Sequence, residues 1–455
     1  MWTAGIVVPF AILAGTIPSA AGIAAFFIGL FAAAAIADAI LAPGMLAGLR
    51  VDLPAVVRLQ NGRAGTIAVH LHNSSSRMRM VRLGIAFPRE IESPDADRFV
   101  RLPEGVEESV TSWPCTPNRR GQYFLRHVYV EAASPLGFWS IRGQRNTACE
   151  LRVYPDLLSE RGQVASLFLR RAEIGVHAHR HAGQGREFEK LREFVPGDSL
   201  SDIHWKASAK RGRPVTKIFQ IERSHEVYVV IDASRLSARK VKIPVAESLA
   251  AGLVEGEQKS TPDLVETTTL ERYVTAALLL ALAAERQGDQ FGIITFGDRV
   301  LDFVRARNGQ SHFDACRDRL YTLHSQDVSP DFEELCTFIR LRLRKRALLV
   351  FLTALDDPVL AESFTKAADL ICRQQLLLVN MLQPETAQPL FAEGNPVTQV
   401  DDLYRRLGGH LQWNSLRELQ RVLQRRGMRL SFLDPAKISA QLIAQHAEVR
   451  ARQLL

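Results

Sequence analysis

Apolar and polar positions alternate in three different ways along this chain, and each way marks a different kind of structure. The first 49 residues are almost wholly apolar and hold one ionisable side chain, Asp38. Two apolar runs, Ala4 to Ile17 and Ala20 to Leu41, flank Pro18. The second exceeds the roughly 20 residues that cross a bilayer, and the first reaches that length with Trp2 and Thr3. Together they predict a transmembrane helical hairpin over residues 1–47, its turn at Pro18-Ser19. Alanine and glycine dominate both runs and allow close helix approach. A cleaved signal peptide fits less well, because a positive n-region is missing and the apolar stretch is too long. Arg50, Arg58 and Arg63 follow the second run, which favours placing the rest of a multi-pass chain in the cytoplasm.

From Val51 the period becomes two. Thr66 to His72, Val81 to Ala86 and His127 to Glu131 alternate apolar and polar residues, as half-buried strands do. Turn-forming clusters at Asn73 to Ser76 and Asn118 to Gly121 separate them. Residues 48–160 therefore read as a small antiparallel β-sandwich. From Glu226 the pattern changes again. Continuous apolar strands (Val227 to Ile231, Phe291 to Phe296, Ala347 to Leu352, Leu376 to Leu382, Met428 to Leu433) alternate with amphipathic stretches such as Leu270 to Glu285, Phe364 to Arg373 and Leu416 to Arg426. Such a pattern predicts, over residues 226–455, a Rossmann-like α/β domain whose parallel sheet is covered on both faces. In these sheets ligands bind beyond the carboxyl ends of the strands, where Asp232 and Asp356 both fall.

Between the two soluble domains, residues 161–225 form a charged linker. His177, His179 and His181 share one side of an extended segment, but no carboxylate or cysteine nearby completes a metal shell, and they read as a solvated loop. Gly183 to Phe219 is the densest chemistry in the chain. Glu187, Glu189 and Glu193 interleave with Arg186, Lys190 and Arg192; Pro196-Gly197-Asp198 breaks the run; Ser199 and Asp202 are placed to start a short element carrying His204, Trp205 and Lys206. The stretch resembles the signature of the domain-of-unknown-function 58 family, G-x-E-F-x-x-L-R-x-Y-x-P-G-D-x-x-x-x-I-x-W-K-x-S-A-R. It agrees at Gly185, Glu187, Phe188, Leu191, Arg192, Pro196, Gly197, Asp198, Ile203, Trp205, Lys206, Ser208 and Ala209, with Phe194 for the usual Tyr and Lys210 for the usual Arg. Arg120 to Tyr123, Ser134 to Phe138 and Val153 to Pro155 are similar to that family's N-terminal β-domain. The resemblance implies a membrane-anchored bacterial protein with a von Willebrand factor A-like domain, commonly paired with a MoxR-type AAA+ ATPase.

Val227 to Ser237 is likewise similar to the first strand and metal loop of von Willebrand A domains, D-x-S-x-S, which bind Mg²⁺ or Mn²⁺ through oxygen ligands. Asp232 and Ser234 match; Leu236 stands where the second hydroxyl belongs, and Ser237 comes one residue late. Ser311 and Asp356 are the candidates for later ligands. The site is either a degenerate Mg²⁺ site or a capped loop without metal. Ser237 to Thr268 is a long polar insertion.

Composition narrows the function classes. Lys and Arg exceed Asp and Glu by 57 to 49, for a net charge of +8, compatible with acidic lipid. No nucleic-acid module accompanies it. Five cysteines without a C-x-x-C pair fit a reducing compartment. No phosphate-binding loop is present. Gly197 to Ser201 imitates G-x-S-x-G until Ser201 removes the last glycine. These residues point to a non-catalytic, membrane-anchored adaptor. The competing class is a hydrolase centred on Asp198, Ser199 and His204. Within the adaptor reading, Trp205 and its apolar neighbours are expected to bury a face and lock the β-domain to the α/β domain, or else to face a partner.

Overall fold

The structure is a computed structural model that describes residues 21–74, 79–158, 182–195, 200, 203–220, 225–244, 264–384, 386–390 and 400–452. The run Ala4 to Ile17, the three histidines at 177, 179 and 181, and Pro196 to Ser199 lie outside the described residues. Two compact units divide at Asp156/Leu157.

The first unit begins with α1 (Ala21–Leu41), an uninterrupted apolar helix followed by one 3₁₀ turn, Ala42–Met45. Gly22 to Met45 is long and apolar enough to cross a membrane, and little of it is buried. Nine strands follow: β1 (Leu49–Asp52), β2 (Val56–Gln60), β3 (Gly65–Asn73), β4 (Arg79–Ile85), β5 (Ile91–Glu92), β6 (Arg98–Leu102), β7 (Glu108–Pro117), β8 (Gly121–Ala133) and β9 (Ser140–Tyr154). They form two sheets, ordered β1-β3-β7-β5 and β2-β9-β8-β4-β6. All pairs are antiparallel except β2 with β9. Alternation decides which residues point inward. In β3, Ile67, Val69 and Leu71 are buried while Ala68, His70 and His72, which alternate with them, are half-exposed. Residues of both sheets share one apolar core around Trp113, whose indole N–H donates to Ser93 Oγ at 3.0 Å and so carries its polar atom inward at little cost.

The second unit opens with an antiparallel arm, β10 (Ala182–Glu193) paired with β11 (Val215–Gln220), with the short helix α2 (Trp205–Arg211) between them. Within the stretch expected as a charged linker, Ala182–Glu193 and Val215–Gln220 are thus strands. The α/β core follows: β12 (Glu226–Asp232), a hairpin of β13 (Lys240–Pro244) and β14 (Leu264–Thr268), α3 (Thr269–Arg286), β15 (Gln290–Phe296), β16 (Val300–Arg307), α4 (Gln310–Leu320), α5 (Phe332–Arg342), β17 (Leu348–Leu352), α6 (Pro358–Ala368), β18 (Leu376–Leu382), α7 (Val400–Arg425), β19 (Arg429–Leu433) and α8 (Ile438–Ala451). The insertion expected over Ser237 to Thr268 is anchored at both ends by that hairpin; residues 245–263 lie outside the described residues.

The sheet order is β16-β15-β12-β17-β18-β19. Five strands are parallel, and β16 is antiparallel at the edge. An all-parallel sheet was the expectation. The connection from β15 to β16, Gly297 to Arg299, is too short for a crossover helix and permits only an antiparallel return. Counted from β12, the order is 3-2-1-4-5-6, the doubly wound order, with its switch point between β12 and β17. Successive β12 residues feed opposite faces. Val227, Val229 and Ile231 pack with α3, α4 and α8, whereas Tyr228 and Val230 pack with α5, α6 and α7. Side-chain caps at Thr268, Asp331 and Asp357 start α3, α5 and α6 by accepting N–H groups that have no partner inside the helix.

Candidate functional site

At the switch point the strand ends bring Asp232 and Thr353 together. Asp232 closes β12 and is fully buried. One carboxylate oxygen accepts the Ser234 N–H at 2.8 Å and the other accepts the Thr353 hydroxyl at 2.6 Å. Ser234 Oγ accepts the Leu236 N–H at 3.3 Å, and Ser237 Oγ donates to the Ser234 carbonyl at 2.8 Å. The D-x-S turn is therefore wound on its own hydroxyls. Burial pushes the Asp232 carboxyl above its ordinary value, and hydrogen bonds from Ser234 and Thr353 hold it back in part. The backbone carbonyl of Thr353 accepts the Tyr273 hydroxyl at 3.2 Å, tying the β17 end to α3.

Asp356 also lies near this end, but it is engaged elsewhere: one oxygen accepts from the Arg239 guanidinium at 2.6 Å. Its other oxygen is buried without a partner. Ser311 is misplaced in the expectation. It sits exposed in the first turn of α4, after the antiparallel β16 has carried the chain back to the amino end of the sheet, where its neighbour His312 contacts the Phe291 carbonyl. Thr353, which the sequence reading passed over, takes the partner's place. The signal available for it was position alone, the first residue after a buried apolar strand.

This donor set does not fit a resident Mg²⁺. A hard divalent cation wants about six oxygens. Both Asp232 oxygens already accept hydrogen bonds, Leu236 replaces a hydroxyl, and Asp356 holds a guanidinium. Among the described residues no group of three or more His, Cys, Asp or Glu side chains converges.

The signature stretch divides over the β10–β11 arm and α2. Glu187 pairs across from Gln220 and Phe188 from Phe219, with a register irregularity spanning Gly185. Leu191 is half-buried and Arg192 exposed; Glu193 forms an ion pair with Arg213. Ile203 is buried and bridges to Thr216. His204 caps α2: its Nδ1 accepts the Ala207 N–H at 3.1 Å, the role anticipated for Ser199 or Asp202. Ser208 Oγ donates to the His204 carbonyl at 3.1 Å and accepts the Val215 N–H at 2.9 Å, stapling α2 to β11. Signature residues Ile203 and Ser208 are thus structural. Lys206 and Ala209 are exposed, and Trp205 is 71% exposed. The expectation that Trp205 buries a large face is corrected. The helix is anchored through its other side, by Ile203 before it and Ser208 within it, which turns the first helical residue outward. Pro196, Gly197, Asp198 and Ser199 lie outside the described residues.

A doubly wound sheet with one antiparallel edge and an Asp-x-Ser turn at the end of its first strand defines a von Willebrand A-like α/β unit. Residues 190–254 and 253–392, the signature arm and most of the α/β unit, match the family described as Protein of unknown function DUF58. Among solved structures it is similar to BatB from Bacteroides thetaiotaomicron (12% identity, 50% of this chain and 99% of that chain, TM-score 0.28). It is similar also to an aerotolerance-related membrane protein from Bacteroides fragilis with multiple mutations to serines (14%, 50% and 99%, 0.29), and to the SpRpn10 VWA domain (10%, 48% and 93%, 0.27). These scores are low, and the fold assignment rests on the strand order instead. No curated protein matches the chain.

Proposed function

We propose that this protein is a membrane-anchored, non-catalytic adaptor whose signature helix is read by a protein partner, a MoxR-type AAA+ ATPase, on the cytoplasmic side of a bacterial inner membrane. The observation that carries this reading is the exposure of Trp205. A large aromatic held out by a short, stapled helix among Lys206, Lys210 and Arg211 costs solvation and contributes nothing to the core; aromatic and arginine side chains are the usual anchors of protein interfaces. In this reading the first apolar run pairs with α1 as a membrane hairpin, and the nine-strand unit is a β-sandwich. His204, the one proposed hydrolase residue among those described, spends its Nδ1 on capping α2, which favours the adaptor.

The test is affinity purification of the full chain from native membrane, wild type against Trp205→Ala. Loss of the ATPase from the variant at an unchanged melting temperature supports the reading. Equal recovery of the ATPase refutes it, and a large fall in melting temperature would return Trp205 to a structural role.

A further inference from the structure

Asp38 is the only charge in α1, and it is fully buried although the helix around it is not. A carboxylate in an apolar span is costly unless it is matched. What buries it is the β8–β9 connection, Ser134 to Trp139. Asp38 accepts the Leu136 N–H at 2.9 Å, the Phe138 N–H at 3.2 Å and the Ser134 hydroxyl at 2.5 Å. The loop closes its other donors on itself. Ser134 N–H donates to the Trp139 carbonyl at 2.8 Å, Gly137 N–H to the Ser134 carbonyl at 3.0 Å, and Trp139 N–H to Ser134 Oγ at 3.0 Å. Pro135 has no N–H, and Gly137 takes the positive φ of 82° that the tight turn requires. Every backbone N–H from Ser134 to Trp139 is therefore satisfied without water.

The side chains are the reverse of those of a solvated turn. Leu136 is 62% exposed and Trp139 is 50% exposed. Trp139 Nε1 donates to the Ala35 carbonyl at 2.8 Å, and the Phe138 ring meets Phe31 edge-on at 5.1 Å. At 1.5 Å per residue, Ala35 and Phe31 lie about 9 and 15 Å back from the end of α1. A helix of this length has only enough apolar residues to cross a bilayer once. If residues 31–38 are at membrane depth, the loop clamped to them is there too. Non-helical backbone survives at that depth only where its polar groups are paired or buried in protein, and here every N–H of the loop is paired.

We propose that Ser134 to Trp139 is a membrane-inserted foot of the β-domain, locked to α1 by Asp38 and contacting lipid through Leu136 and Trp139. The foot rests on the reading that α1 spans the membrane. It fixes the β-domain to the bilayer at two points, so that the domain does not swing on the short link after α1.

The test uses the full chain in phosphatidylcholine vesicles, with Cys372→Ser to remove the one thiol that is not buried. Leu136→Cys carries a nitrobenzoxadiazole probe, and a parallel protein carries it at Ile23→Cys on α1. The Leu136 probe is expected to emit blue-shifted light, to be quenched by spin-labelled lipid as strongly as the Ile23 probe, and to resist aqueous iodide. Adding Asp38→Ala should move the Leu136 probe towards iodide quenching while the Ile23 probe stays in lipid. Lipid quenching at Ile23 with iodide quenching at Leu136 overturns the foot alone. A Leu136 probe shielded from both quenchers also overturns it, by assigning the loop to a protein contact. Iodide quenching at both positions overturns the membrane span itself.

Discussion

Replacing Asp232 by alanine removes an acceptor on which two buried donors depend. The Ser234 N–H and the Thr353 hydroxyl would each lose its partner in a site closed to water. An orphaned buried donor costs about 1–3 kcal/mol, so the change should cost about 2–6 kcal/mol. For a unit of this size that is roughly 4–12 °C in melting temperature. Asp232→Asn keeps the shape, and the Thr353 hydroxyl can turn to accept from the new amide; its cost should stay near ~1 kcal/mol. The pair also has a pH signature. The folded carboxyl titrates above its unfolded value, so Asp232 binds a proton more readily in the folded state. Its contribution is complete below the unfolded pKa and is lost as pH rises through the folded one. The stability of the wild type relative to Asp232→Asn should therefore decline with rising pH, starting just above the ordinary aspartate value. Thermal unfolding of the full chain in detergent from pH 4 upward measures it. Equal melting of the alanine and asparagine variants would refute the hydrogen-bonding argument. A wild type that gains on Asp232→Asn as pH rises would refute the sign. A rise in melting temperature with Mg²⁺ that Asp232→Asn abolishes would overturn the conclusion that the donor set is already taken.

Two further outcomes follow from packing. Gly292→Ala should destabilise by about 1–3 kcal/mol, because a Cβ there would stand 2.5 Å from the Tyr228 ring and 2.7 Å from the Val304 carbonyl. The ring is held by its hydroxyl between Glu226 and the Ala306 N–H; an unchanged melting temperature would show that the ring yields. Burial pushes Cys149 up to about 11 and Cys316 and Cys336 up to about 12, leaving almost no thiolate at neutral pH. Maleimide labelling of the native protein followed by mass spectrometry should therefore find Cys372 modified first, and prompt labelling of Cys149, Cys316 or Cys336 would contradict their placement.

Periodicity was the legible part of the sequence. Continuous apolar strands and amphipathic helices from Glu226 onward identify a doubly wound unit because a sheet covered on both faces has no polar side to alternate with. Period two in Ile67, Val69 and Leu71 likewise declares a half-buried strand. β10 was less legible. Its interleaved charges look like a loop, and its strand state depends on a partner, β11, more than twenty residues later. The antiparallel course of β16 follows from a short connection, which a hydrophobicity pattern does not record.

By itself the sequence determined the membrane-length apolar helix, the all-strand stretch followed by the α/β unit, the family signature and the Asp-x-Ser turn at the first strand end. All of these are local properties, set by residue type and spacing along one segment. Tertiary structure decided the partners. Thr353 rather than Ser311 meets Asp232, because strand order and direction select which loops share an end of the sheet. Arg239 occupies Asp356. Trp205 faces outward because Ile203 and Ser208 hold the other side of its helix. Asp38, conspicuous in the sequence as a lone charge, finds its donors in a loop almost a hundred residues away, and no spacing rule along the chain connects the two.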